Sequence, residues 1–342
     1  GEGNEKVNSA VIHSTGNWKY MYVVVQSSSK KSWMPSGPRR GGIAPGCTPK
    51  RVAGKLTIQC GGIGARQNGF IARYTIAGEP SGFAFFGSSG GASEITDIAV
   101  NEQGHIFIVG WTSEELTYGR NLYNGGQRDA FVARLDTTKF DPKDSGPALE
   151  ESNSPVKWAK HVGGDGRDQA LALAINEEGN PVVVGETTSK EFPTAGTESQ
   201  NKSDDDGRFG LEKDEKNEKK IKKNDKIKVK GKEKILQQPN SNSYHGGSSD
   251  AFVTVLTKDG LTYRKSFFLG GDAEDIARDV TVDGNTIYIT GSTTSLEVNS
   301  PWGTLHGGTG DGDKDAFLFQ NTILLTKPDT GQLINNRSGN QV

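Results

Sequence analysis

Apolar residues in this 342-residue chain come in short bursts, not in long or helically spaced runs. "AFVARL" (130–135), "VKWAKHV" (156–162), "ALALAI" (170–175) and "PVVVG" (181–185) are separated by turn text such as "GGD" (163–165) and "NEEGN" (176–180). Bursts of this length, rich in Val, Ile, Phe and Tyr and bounded by turn-forming residues, predict β-strands. "HIFIVG" (105–110), "PVVVG" and "TIYITG" (286–291) are apolar at nearly every position. A strand with one wet face alternates, so these three are expected to be covered on both faces.

The bursts repeat as a group. "GGQRDAFVARL" (125–135), "GGSSDAFVTVL" (246–256) and "GDKDAFLFQ" (312–320) are near copies, each with Gly-rich text before Asp-Ala-Phe. A catalytic motif needs one copy, whereas three copies point to a stacked structural unit. Four bursts per unit with a period of roughly 60 residues predict an all-β fold, a β-propeller of four-stranded antiparallel blades in one domain spanning 1–342. Val7–Ser28 resembles the last two strands of a unit and Asp315–Asn335 the first two. Joined, they would form one split blade and bring the visible total to about four, in a closed ring or as part of a larger one. A chain opening "GEGNEKVNSA", without Met, reads as processed or truncated.

The combination Gly246, Gly247, Asp250, Ala251, Phe252, Val253, then Gly270, Gly271, Asp275, Ala277, then Asp283, Gly284, Asn285, Tyr288, Gly291, Thr293 and Ser295 resembles the SBBP family of β-propeller repeats. "EFPT" (191–194) is similar to that family's segment after the Thr-x-Ser turn. The resemblance implies a propeller, often on a surface or secreted protein, and no single enzyme activity. The first unit departs from the pattern, with Asn68-Gly69-Phe70 in place of Asp-Ala-Phe.

Three stretches interrupt the repeat. Residues 30–60 form an irregular insert rich in Ser, Pro and Gly, and 140–155 separate two strands of one unit. Residues 197–243 are charged and nearly free of aromatics, the composition of a disordered loop. Its Lys-rich half, Lys219–Lys234, could act as an electrostatic tether. With 40 Lys and Arg against 42 Asp and Glu, overall charge gives nucleic acid nothing to recognise. No apolar run is long enough for a membrane-spanning helix. Cys47 and Cys60 are the only cysteines, and their text leaves a disulfide and two free thiols equally open.

The candidate chemistry is sparse. Asp129, Asp250 and Asp315, with Gly125, Gly126, Gly246 and Gly247, belong to the repeat, and their carboxylates are expected to hold turn N–H groups. Asp311, Asp313 and Asp315 in "GTGDGDKD" alternate acid with Gly as calcium loops do, but position 322, where such a loop needs Glu, is Thr. No other cofactor is suggested. His245 and His306 both precede Gly-Gly, and Trp111 and Trp302 lie near turns where an aromatic can meet a ligand. His13, His105 and His161 stand in strand-like text without a ligand pattern. "GSSGG" (87–91) lacks the strand–elbow–helix setting of a hydrolase nucleophile.

The expected function is therefore non-enzymatic: a binding or structural module of an extracellular or cell-surface protein, meeting a protein or glycan through its loops. The rival is an enzyme, glycosidase- or lyase-like, with unrepeated carboxylates clustered in the ring's channel.

Overall fold

The computed structural model describes residues 5–15, 18–27, 47–52, 55–60, 68–86, 91–116, 125–137, 156–193, 243–300, 303–306 and 313–322. Among these, all regular structure is β. The chain opens with β1 (Glu5–Thr15) and β2 (Trp18–Ser27), then a hairpin of β3 (Cys47–Val52) and β4 (Lys55–Cys60), then β5 (Asn68–Thr75) and β6 (Pro80–Phe86). Next come β7 (Ser93–Val100), β8 (Ile106–Thr112), β9 (Asp129–Leu135) and β10 (Val156–Val162), then β11 (Asp168–Ile175), β12 (Pro181–Thr187), β13 (Asp250–Leu256) and β14 (Tyr263–Leu269). The last group is β15 (Asp275–Asp283), β16 (Thr286–Thr293), the short hairpin β17 (Glu297–Ser300) and β18 (Gly303–His306), and β19 (Asp315–Thr322).

Four antiparallel sheets result: β1-β2-β5-β6, β7-β8-β9-β10, β11-β12-β13-β14 and the three-stranded β15-β16-β19. The sequence unit and the sheet are out of phase. Each sheet joins the last two strands of one unit to the first two of the next, so the Asp-Ala-Phe strand is third in its sheet. Among the described residues the expected split blade is not formed. The N-terminal pair β1–β2 takes β5 as its neighbour, and β19 pairs with β16. The segment 30–60 contains the β3–β4 hairpin, whose register sets Cys47 opposite Cys60. The inserts 140–155 and 197–242 lie outside the described residues.

The sheets stack face to face, and the apolar bursts of the two inner sheets serve two interfaces. Along β8, Ile106 and Ile108 pack with Ile71 and Phe86 of the first sheet, while Phe107 and Val109 pack with Leu173 and Phe252 of the third. Every residue of β8 is buried and nearly every residue of β12, as continuous apolar text requires. "TIYITG" behaves differently. Ile287 and Ile289 are buried against the third sheet, but Thr290 is exposed and Leu318 of β19 is 62% exposed. The fourth sheet has one covered face, so its strands alternate.

The first strands β1, β7, β11 and β15 contact one another in succession. Each carries a bulge at the same place, between Val7 and Ser9, Ile95 and Asp97, Ala170 and Ala172, and Ala277 and Asp279. A bulge adds a residue and turns the strand, exposing polar atoms to the neighbouring sheet. Asn8 Nδ2 thus donates to the Ile95 carbonyl at 2.7 Å, and Thr96 Oγ1 to the Ala170 carbonyl at 2.8 Å. Asp97 reaches furthest. It accepts from the Ser9 hydroxyl of the first sheet and from Leu173 N–H of the third, and it feels the charge of Asp279 in the fourth.

Candidate functional site

The repeated acidic residues lie at the junctions between sheets. Asp168, at the start of β11, is fully buried. It accepts from Gly164 N–H at 2.9 Å and from the hydroxyls of Ser189, at 2.8 Å, and Thr187. Asp275, at the start of β15, repeats this with Gly271 N–H and Ser295 Oγ, both at 2.8 Å. The two serines take a second bond, from Gly166 N–H and Ala273 N–H. The Gly-Gly-Asp turn is thereby clamped to the Thr-x-Ser turn of the same sheet. In the second sheet the residue types are exchanged: Ser93 stands where the Asp is expected, and Glu114 where the Ser is.

The same junctions are tied through backbone. Asp168 N–H donates to the Arg128 carbonyl and Asp275 N–H to the Ser249 carbonyl, each at 2.8 Å. Close approach explains the glycines beside them. Gly126 and Gly247 have φ of 72° and 67°, and a Cβ on them would strike the carbonyls of Gly166 and Ala273. Gly125 and Gly246 precede them with φ of 109° and 127°. Asp250 accepts His245 N–H at 2.6 Å. Burial raises the carboxyls of Asp168 and Asp250 above the usual range. Asp129 is also fully buried, and Asp315 is half-buried at the start of β19.

Among the described residues, the remaining sequence candidates do not converge on one place. Trp111 is 7% exposed. Its Nε1–H donates to Glu94 Oε2 at 3.2 Å, and Arg128 lies over its ring at 4.6 Å, so it is engaged inside the fold. His245 stands edge-on to Phe268, with Nδ1 at 3.5 Å from Asp250 Oδ2. His306 is in β18, Asp313 is exposed, and Trp302 and Asp311 lie outside the described residues. Among the described residues, no group of three His, Cys, Asp or Glu is placed to hold a metal ion.

No family model matches the chain, and no curated protein sequence does either.

What the structure does bring together is a polar cleft of about 480 Å³ between the first two sheets, at the end away from the clamps. His13 of β1 forms one wall. Glu102, Gln103 and His105, from the turn between β7 and β8, form another, and Arg134 and Lys157, from β9 and β10, complete it. Gly104 (φ 77°) lets the turn lie directly on the His13 ring, where a Cβ would strike Cε1. Burial lowers both imidazoles below the ordinary histidine value, and for His105 the charges of Arg134 and Lys258 act the same way. Both shifts favour the neutral imidazole, and His105 Nδ1 lies 3.4 Å from Asn101 Nδ2, which leaves its Nε2 for the cleft.

Sequence reasoning passes over these residues because none forms a motif. Their signal is departure from the repeat. "NEQGH" (101–105) differs from "NEEGN" (176–180) at two of the positions that line the cleft, Gln103 and His105, and Arg134 stands where the next copy has Val255, although the first sheet has Arg73 there.

Proposed function

We propose that this chain is a β-propeller of the SBBP repeat kind, its four sheets acting as blades, and that it works as a non-enzymatic binding module at a cell surface or outside the cell. The observation that carries the reading is the row of first strands β1, β7, β11 and β15, which contact one another in succession, with Asp97 of the second sheet bonded to the first and the third. Strands that meet in this way surround a common axis, the arrangement of first strands in a propeller. The propeller is a frame, and binding falls to residues that break its repeat, as those of the cleft do.

The carboxylates nearest the axis also favour binding over catalysis. Asp97 and Asp279 occupy the same bulge position, and each accepts the N–H of the next residue, at 2.8 Å from Ile98 and 2.9 Å from Val280. Both close the bulge of their own strand, and a carboxyl that recurs at one place in the repeat belongs to the frame. The test is a binding screen over glycans, matrix proteins and anionic polymers at low and moderate salt, comparing the intact chain with one lacking 197–243. The expected result is a ligand retained after the deletion. Binding lost with the deletion and abolished by salt would assign the function to Lys219–Lys234 instead.

A further inference from the structure

We propose that the cleft between the first two sheets binds a carboxylated sugar, with Arg134 and Lys157 holding the carboxylate and His13, His105 and Glu102 holding hydroxyls. This deepens the binding-module reading and rests on it.

The repeat supplies the internal comparison. In the third sheet, Arg264 stands at the position of Lys157, and Glu178 at that of Gln103. There Arg264 Nη1 and Glu178 Oε2 form an ion pair at 3.3 Å. In the second sheet the cation is kept as Lys157, but the carboxylate has become the neutral Gln103. Lys157 thus faces the cleft without the partner that its counterpart has. Beside it stands Arg134, at the position of Val255 in the third sheet and of Arg73 in the first, with its Nε–H buried without a hydrogen-bond acceptor. Since the first sheet also has an arginine here, the internal contrast rests on Lys157, and the cleft gains a second cation in Arg134, with Asp136 as its acidic neighbour. Planar carboxylate oxygens match the arginine fork.

The rest of the lining sets the ligand class. Glu102 and Asp136 also border the cleft, so its charges are mixed. A phosphate dianion would face those carboxylates, whereas one carboxylate on a hydroxyl-rich ring meets cations at one end and acceptors at the other. Neutral imidazoles, Gln103 and Ser14 suit hydroxyls, which both donate and accept. A volume of about 480 Å³ falls within the range of small-ligand sites.

The experiment is calorimetric titration with a glucuronate-containing disaccharide and with its counterpart whose carboxyl is reduced to an alcohol. It is run on the intact chain, on Arg134→Gln and on Gln103→Glu, beside the screen described above. Gln103→Glu gives Lys157 the partner that Arg264 has and follows the protein's own third sheet, so it remains informative if Arg134→Gln is unstable. The proposal expects the acidic sugar to bind at least tenfold more tightly than the neutral one, and both substitutions to weaken it at least tenfold without lowering the unfolding temperature. Equal binding of the two sugars, or binding indifferent to both substitutions, would overturn it and leave the module reading standing. If neither sugar nor any other member of the screen binds, both fall.

Discussion

Asp97 in β7 accepts the backbone N–H of Leu173 in β11 through Oδ2 at 2.9 Å, while its Oδ1 takes Ile98 N–H at 2.8 Å. One side chain closes a bulge in its own strand and ties two sheets together. The donor it satisfies across the junction belongs to a buried residue of a different sheet, and such an N–H is costly to strand.

Removing that acceptor should therefore weaken the junction, not only the strand. Asp97→Ala is expected to lower stability by about 1–3 kcal/mol, the range for leaving a buried donor unpaired. Asp279→Ala is the control. Asp279 makes the same local bond but is exposed, and its loss is expected to cost about 0.5 kcal/mol or less. Urea unfolding of both variants checks the difference, and equal costs would show that the cross-sheet bond contributes little.

The junction glycines give a second contrast. At Gly247 a side chain must adopt φ near 67° and meet the Ala273 carbonyl; at Gly78, with φ of 85°, the space is open. Gly78→Ala is expected to cost about 1 kcal/mol for the backbone conformation alone. Gly247→Ala adds a clash with backbone and is expected to cost at least about 2 kcal/mol more. Thermal unfolding of the pair separates the two contributions.

His161 should make stability depend on pH. Its ring is fully buried, and burial lowers it from 6.5 to about 4. Its Nε2 accepts Leu116 N–H at 3.2 Å, a bond that only the unprotonated nitrogen can make. Since the unfolded chain binds this proton more tightly, the stabilisation is complete above pH 6.5 and is lost as pH falls towards 4. Between pH 7 and pH 5 the loss is expected to be at most about 2 kcal/mol, because the buried Asp129 carboxylate, 3.8 Å from Nδ1, favours the imidazolium. The raised carboxyls of Asp97, Asp168 and Asp250 act in the opposite direction at lower pH, so the comparison must be internal. His161→Gln should show a smaller fall in urea midpoint over that interval than the native chain. An unchanged fall would place the effect elsewhere.

Backbone register also speaks to the cysteines. Cys47 and Cys60 are paired across the β3–β4 hairpin. Opposed residues in antiparallel strands have Cα separations of about 4.5–5.5 Å, which a disulfide spans. Oxidised protein is expected to show no free thiol until reduced, with a mass lower by two hydrogens. Two titratable thiols after air oxidation would mean that the hairpin holds them without joining them.

The sequence by itself determined the strands, most of the turns and the fact of a repeat. These depend on local chemistry. Val, Ile and Phe in short bursts can bury only as strands, Gly-Gly and Asn-x-x-Gly-Asn turn the chain, and Asp129 and Asp250 recur because each starts the same strand. Even the two-sided burial of β8 and β12 was legible from unbroken apolar text. That of β16 was not, because the same kind of text lies in a sheet with one covered face.

Only the tertiary structure decided where one sheet stops and the next begins. The short link from Val162 to Asp168 crosses between sheets, whereas β12 and β13, separated by the long insert, pair within one. Proximity in the chain therefore misleads. The partition follows from which edges hydrogen-bond and which faces exclude water, and both are long-range. The cleft has the same origin. His13, His105, Arg134 and Lys157 carry no pattern in sequence, and they become neighbours because stacking two sheets sets the end of β1 against the turn after β7.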